Sequence, residues 1–108
     1  MSEFTINEMI AMQQTLQEKY KNQWEGISKE VGQNKLLWMI GEIGEVIDII
    51  KKHGPEKACS DEMIRSSLVE EMADVLMYYN DILLCYDISS EELKNAYTKK
   101  FNRNMKRW

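Results

Sequence analysis

The clearest helical pattern in the chain lies in residues 34–53, which read NKLLWMIGEIGEVIDIIKKH. The apolar side chains of this segment recur at helical spacing and form one predicted stripe, made of Leu36, Met39, Ile40, Ile43, Val46, Ile47 and Ile50. Glu42 falls at the edge of that stripe, and Glu45 lies on the far side of Trp38 and Ile49. We therefore expect both acids to lie on a second apolar flank and not on the solvated face.

A second segment, which we expect to be helical as far as about Tyr86, repeats this arrangement around Glu71 and Asp74. Its apolar stripe consists of Leu68, Met72, Val75, Leu76, Tyr79, Ile82 and Leu83. Each segment thus places an acid pair at i, i+3 on the same side of its stripe. If the two stripes pack as an antiparallel pair, four carboxylates meet on one flank of a helical bundle.

Four carboxylates in one place repel each other, and partial burial disfavours their charged forms further. A cation would relieve both effects. Oxygen ligands without a thiolate or imidazole suit Mg²⁺, with Mn²⁺ as a substitute, and argue against zinc. The competing interpretation is that the acids are rim residues that pair with lysines.

The ends of the predicted helices are marked by capping residues. Each of the four predicted helices begins with a side chain that can cap a helix. These are Thr5, Asn34 and Ser89, and for the third helix either the start Ser60-Asp61-Glu62 or the start Ser66-Ser67 with Glu70. The first helix is predicted over about 5–23, and Gly54-Pro55 ends the second. With only five Gly and one Pro in the chain, a sandwich or barrel lacks its turns. The sequence predicts an all-α four-helix bundle.

Length and composition limit the class of protein. The 108 residues are enough for one domain, over 1–108, and 44% hydrophobic with 30% charged residues argues against disorder. Cys59 and Cys85 have neither metal-ligand spacing nor the density of a disulfide scaffold. The chain begins without a basic region followed by an apolar stretch, and no apolar run approaches eighteen residues. We expect a cytoplasmic protein with no membrane partner.

Charge is distributed unevenly along the chain. Residues 99–108 carry five cations and no acid, whereas the preceding residues carry nine cations and eighteen acids. One short basic segment is narrower than the positive surface that duplex binding uses, so we expect no stable nucleic-acid partner. Gly41 and Gly44 inside a helix, together with eight Met, favour close packing against further copies of the chain, as a homodimer or homotetramer.

Residues 41–46, GEIGEV, and residues 70–76, EEMADVL, together resemble the ExxE…ExxD signature of the MazG-like all-alpha nucleoside triphosphate pyrophosphohydrolases. The ending KFNRNMKRW, residues 100–108, is similar to that of the compact dCTP-pyrophosphatase-like members. The resemblance covers most of residues 34–108 and, more loosely, the first helix. Trp38 stands where the dCTP-preferring group has a small residue, so the resemblance leaves the base open.

The resemblance implies an oligomeric helical bundle that hydrolyses an NTP or dNTP to the monophosphate and pyrophosphate with Mg²⁺, in a role such as nucleotide-pool cleansing. The metal ligands that it implies are Glu42, Glu45, Glu71 and Asp74. The phosphate-binding residues that it implies are Lys100, Asn104 and Arg107. Asn34 matches an asparagine before the first motif, and a role in the site and a role as helix cap both stay open.

Other candidate site residues follow from chemistry and position. Glu45 or the adjacent Glu70 would orient or deprotonate the attacking water. Three aromatic residues are candidates for a base pocket, although core packing is their ordinary role, namely Trp38, Tyr78 and Trp24. Asp81, one heptad after Asp74, is a further candidate for the metal site, with a solvated rim as the favoured alternative. For Gln13 we favour a hydrogen bond to a buried backbone group over a place in the pocket.

Two other functions compete with this one. A helical oligomerisation or interaction module without enzymatic activity would explain the glycines and methionines and treat the acids as surface. A phosphoribosyl-ATP pyrophosphohydrolase would share the acid chemistry within the same superfamily. A di-iron carboxylate bundle is excluded because the single His53 is not part of a Glu-x-x-His motif.

Overall fold

The computed structural model describes residues 3–107 and contains, within that range, five helices and no strand. The helices are α1 (Ile6–Lys19), α2 (Gly32–His53), α3 (Pro55–Ser60), α4 (Glu62–Cys85) and α5 (Ser90–Arg107). The all-α prediction is confirmed, and the short α3 is added between the second and third predicted helices. Trp108, the last residue of the quoted C-terminal motif, lies outside the described residues, as do Met1 and Ser2. None of the described helices is both long and apolar enough to cross a membrane.

Side-chain caps fix the beginnings of α1 and α4. The Thr5 hydroxyl accepts a hydrogen bond from the Glu8 backbone N–H at 3.1 Å, while Glu8 Oε1 accepts one from the Thr5 N–H at 3.4 Å. Asp61 Oδ1 accepts from the backbone N–H groups of Met63 and Ile64, both at 3.1 Å. The earlier of the two predicted starts of this helix is therefore the correct one.

Two predicted boundaries are wrong. The first helix ends at Lys19 and not at about 23, because the chain then turns and the Tyr20 and Trp24 rings stack with centroids 4.6 Å apart. The second helix begins at Gly32, so Asn34 lies inside its first turn and does not cap it. Its predicted end agrees with the structure, since Gly54 adopts a positive φ of 87° directly before α3.

The central helix is α4, on which α1, α2 and α3 all pack. Its end is joined to the start of α2 by close contact of the Tyr86 ring with Gly32, where a Cβ atom would collide with that ring. By contrast, α5 makes no extended packing with the other described helices and buries none of its side chains. Tyr97, Phe101 and Met105 on α5 are all exposed.

The predicted apolar stripe of α2 does not form the core of this chain. Its exposed members are Leu36, Ile40, Ile43, Ile47 and Ile50. The less exposed face, turned towards α4, carries Lys35, Met39, Glu42, Val46 and Ile49. The prediction that Glu42 lies at the edge of the packed face is wrong, because the packed face is the neighbouring one. This leaves the most apolar surface of α2 uncovered.

Candidate functional site

Three carboxylates meet where α2 faces α4. Glu42, Glu45 and Glu71 each offer an oxygen atom, and these atoms lie within 4.8 Å of one another. Glu42 and Glu45 share one side of α2 because they are three residues apart, and Glu71 approaches them from α4. Asp74 lies one turn further along α4, outside this group, where it lines the adjacent cavity. The structure thus brings three of the four predicted acids together and places the fourth beside them.

The three carboxyl groups influence one another's protonation. A hydrogen bond with Glu45 is the largest cause that raises the pKa of Glu71 from 4.5 to about 7, followed by desolvation, a hydrogen bond with Glu42, and the negative charges of Glu45 and Asp74. Glu42 Oε2 and Glu71 Oε2 are also buried without a hydrogen-bond partner among the described residues. Unpartnered buried carboxylate oxygens are costly, and a bound cation satisfies them. The donor set therefore fits a divalent metal ion.

A cavity of about 340 Å³ opens next to the acid group, between the ends of α1, α2 and α4. All three predicted base-pocket aromatics, Trp24, Trp38 and Tyr78, line it, and so does Asp74. Burial, and then the nearby charges of Glu42, Asp81 and Asp74, raise the pKa of the Tyr78 hydroxyl, which keeps it a neutral hydrogen-bond donor. The cavity thus combines aromatic walls with one of the predicted metal ligands.

The floor of this cavity contains a buried polar cluster. Asp81 Oδ1 accepts hydrogen bonds from Gln13 Nε2 at 2.8 Å and Gln17 Nε2 at 3.2 Å, and Lys35 Nζ lies 4.0 Å from Asp81 Oδ2. Two expectations are wrong here. Asp81 is buried and not on a solvated rim, and Gln13 donates to a side chain and not to a backbone group.

Sequence reasoning missed Lys35 and Gln17 altogether. A usable signal was present, because Gln13 and Gln17 stand at i, i+4 on the apolar side of α1. Two amides in such a position need a buried polar partner. Asp81, a heptad beyond the motif Asp74, is the acid that provides it.

The remaining predicted residues lie apart from the acid group. Lys100 and Asn104 line an apolar hollow on the surface of α5, and neither they nor Arg107 line the cavity. Glu70 is exposed and does not belong to the three-carboxylate group. Asn34 Nδ2 donates to Glu25 Oε1 at 2.8 Å, and Glu25 in turn lines the cavity.

Within residues 3–107 the structure is helical, and its two longest helices, α2 and α4, face each other through carboxylates beside an aromatic-lined cavity. Residues 30–107 match the family model of the MazG nucleotide pyrophosphohydrolase domain. The chain belongs to this family, as its motifs predicted, and the match spans α2 to α5. No curated protein and no solved structure gives a significant match to the chain.

Proposed function

We propose that this protein hydrolyses a nucleoside or deoxynucleoside triphosphate to the monophosphate and pyrophosphate, with Mg²⁺ as cofactor. The observation that carries the proposal is the group of Glu42, Glu45 and Glu71, in which two buried oxygens lack partners. The neighbouring aromatic cavity offers room for the base, and membership of a nucleotide pyrophosphohydrolase family supports the reaction type.

The proposed metal ligands are Glu42, Glu45 and Glu71, with Asp74 as a fourth ligand at the cavity side. Their oxygen-only chemistry matches Mg²⁺, or Mn²⁺ as a substitute. When bound, the ion supplies positive charge for the phosphate oxygens and lowers the pKa of a water molecule. The negative charges of Glu45 and Asp74, which add to the hydrogen bonds and desolvation that raise the pKa of Glu71, would be offset in the same way.

The chain's own groups complete the reaction. Glu45 is exposed whereas Glu42 is half-buried, so of these two the Glu45 carboxylate is the group that orients the attacking water and accepts its proton. Glu70 is the less favoured alternative because it stands outside the acid group. Trp38 and Tyr78 flank the base, and Trp24, held by stacking on Tyr20, closes the cavity from the loop.

The proposal also includes a second copy of the chain. The accessible surface of 8704 Å² exceeds the roughly 6300 Å² expected for a compact monomer of this mass, an excess comparable to a large subunit interface. The exposed members of the α2 stripe, at heptad spacing, provide the contact surface. The α5 helix of that second copy brings Lys100, Asn104 and Arg107 to the phosphates, with five cations in residues 99–108 opposing the acidic remainder.

The test is product identification for a panel of nucleoside triphosphates, deoxynucleoside triphosphates and phosphoribosyl-ATP, with Mg²⁺ or with a chelator. We expect monophosphate and pyrophosphate in equal amounts, with Mg²⁺ only. Release of orthophosphate and a diphosphate would contradict the reaction type. A folded, metal-supplied protein that turns over no nucleotide would overturn the proposal in favour of a non-enzymatic helical module.

A further inference from the structure

The polar residues at the floor of the cavity are almost fully buried. Asp81, Gln17 and Lys35 are 4%, 6% and 7% exposed, and all three line the cavity. Placing a carboxylate, an ammonium group and two amides in such surroundings costs free energy unless each polar atom finds a partner. The polar atoms of this floor therefore need hydrogen-bond or ion-pair partners, either from the chain itself or from a ligand.

Within the chain, the floor is only partly satisfied. Gln17 Nε2 is engaged by Asp81 Oδ1, which fixes Gln17 Oε1 as an acceptor, and that buried atom has no partner among the described residues. Lys35 Nζ and Asp81 Oδ2 are 4.0 Å apart, beyond hydrogen-bond distance. The floor thus offers one unpartnered acceptor, Gln17 Oε1, beside the Lys35–Asp81 ion pair, whose charged atoms are too far apart to form a hydrogen bond with each other.

We propose that this floor recognises the base of the nucleotide and selects bases that carry an exocyclic amino group. The inference rests on the proposed function, since it assigns one edge of the base in the same site. The amino N–H groups donate to Gln17 Oε1 and Asp81 Oδ2, and Lys35 Nζ donates to the ring nitrogen beside the amino group. Trp38 and Tyr78 line the walls of the same cavity and pack on the faces of the base.

This arrangement discriminates between bases by one exocyclic group and the ring nitrogen beside it. Cytosine, adenine and guanine each present an amino group next to an acceptor. Uracil and hypoxanthine present a carbonyl in place of the amino group of cytosine or adenine, and the ring nitrogen beside it becomes an N–H donor. The carbonyl then faces the acceptors of Gln17 and Asp81, the ring N–H faces the Lys35 ammonium group, and Gln17 Oε1 stays unpaired. Such a loss of paired hydrogen bonds produces strong discrimination.

The primary test uses the unmodified protein with Mg²⁺ and nucleotide pairs that differ in one exocyclic group and in the hydrogen on the ring nitrogen beside it, dCTP with dUTP and dATP with dITP. We expect kcat/KM to favour the amino-bearing member of each pair by about ten-fold or more. Ratios within two-fold of unity, or a preference for the oxo member, would overturn the inference while hydrolysis itself would still support the proposed function.

A second experiment compares the dissociation constants of the non-hydrolysable α,β-methylene analogues of dCTP and dUTP in the presence of Mg²⁺. If nothing is hydrolysed, the proposed function fails, and the binding ratio still decides whether the floor selects an amino group. Tight binding of the dCTP analogue alone supports the inference, and equal or absent binding of the two analogues contradicts it.

Variants locate the selectivity. Asp81→Asn replaces one acceptor oxygen by a donor and is expected to lower the dCTP to dUTP ratio about ten-fold. Asp48→Asn, the same change on the exposed face of α2, should leave the ratio unaltered. An unchanged ratio in folded Asp81→Asn would show that the cluster is only structural. Should that variant fail to fold by circular dichroism, Gln17→Leu, which removes the unpartnered acceptor without a charge, gives the same comparison.

Discussion

Glu71 lies opposite the carboxylates of Glu42 and Glu45, and this position raises its pKa. Helical spacing was sufficient to select Glu42, Glu45 and Glu71 from the sequence, because acids at i, i+3 share a helix face. It was not sufficient to find Lys35 or Gln17, whose partner Asp81 lies 46 and 64 residues away in the chain. Contacts of that range depend on how helices pack, which the periodicity of one segment does not determine.

Replacing Glu42 by Gln tests the role of the acid group. We expect kcat/KM with Mg²⁺ to fall on the order of 100-fold or more, since one ligand oxygen and one charge are lost. The thermal midpoint of the metal-free protein should stay unchanged or rise, because a Gln side chain can still hydrogen-bond to the Glu71 carboxyl group while one negative charge is removed from the acid group. Asp48→Asn on the same helix is the control and should keep full activity. Loss of the folded state in Glu42→Gln would show that the acid is structural.

The raised pKa of Glu71 predicts a pH dependence of stability in the metal-free protein. Between pH 4.5 and about 7 the folded chain holds a proton on Glu71 that the unfolded chain has released. The folded state therefore binds more protons, and the free energy of unfolding contributed by this group falls as pH rises through that window. Urea midpoints measured in chelator at pH 5, 6, 7 and 8 would record the decline.

Glu71→Gln has no proton to release, so its midpoints should decline less over the same window. Glu70→Gln, at the adjacent exposed position, is the matched control and should follow the unmodified protein. Equal slopes for Glu71→Gln and the unmodified protein would contradict the assigned pKa.

At the scale of the helices, caps and periodicity predicted most of the architecture. Thr5 and Asp61 act as caps, and Gly54 ends α2, because these are local interactions of residues close in sequence. The prediction of which face of α2 packs on α4 was wrong. Apolar residues such as Ile40 and Ile43 predict a buried face, but they do not distinguish burial within the chain from burial against another chain. A helix with two adjacent apolar faces does not by itself specify which one is used within the chain.

The contact between Gly32 and Tyr86 ties the start of α2 to the end of α4. Gly32→Ala places a methyl group against the ring, and because Tyr86 is half-exposed and can shift, we expect a loss of about 1 kcal/mol in the free energy of unfolding. In a Tyr86→Ala background the same change should be neutral or stabilising. Urea denaturation of the unmodified protein, the two single variants and the double variant measures both effects.

Gly41→Ala is the control for helix propensity, because the described structure has open space at that position. It should raise the free energy of unfolding by about 0.5–1 kcal/mol. If Gly32→Ala behaves like Gly41→Ala in the unmodified background, the Tyr86 contact carries no energetic weight.

The whole molecule is more extended than its length requires. Its radius of gyration is 16.3 Å, against about 13 Å for a compact domain of this size, and α5 contributes no buried side chain within the described range. The exposed stripe on α2 and the unpacked α5 were not predicted from the sequence, which through Gly41, Gly44 and the eight Met indicated only that further copies of the chain pack against this one. The way in which a second copy covers the α2 stripe and α5 depends on how the surfaces of two chains fit together, and the helical pattern of one chain does not determine this.

The exposed stripe predicts that assembly depends on its isoleucines. Ile40→Glu combined with Ile47→Glu should convert the protein from a dimer or larger assembly to a species near the 12.8 kDa of one chain, measured by light scattering after gel filtration. Lys51→Glu on the solvated side of α2 should keep the native mass. A protein that is already a monomer without substitution would contradict the proposed assembly.

If the site is shared between copies, inactive variants should rescue each other. Glu71→Gln and Lys100→Ala are each expected to be nearly inactive. Mixing them after subunit exchange should restore up to about a quarter of the activity of the unmodified dimer, because half of the dimers are mixed and one of their two sites is intact. No recovery in a mixture that demonstrably exchanges subunits would place Lys100 and the acids in the same chain.

The central claim is that Glu42, Glu45 and Glu71 hold a divalent ion. Crystals of the protein grown with Mn²⁺, measured at the manganese absorption edge, test it most directly. The account predicts an anomalous difference peak among these three carboxylates in the unmodified protein and its loss in Glu71→Gln. A map of the unmodified protein with no peak between α2 and α4 would contradict it.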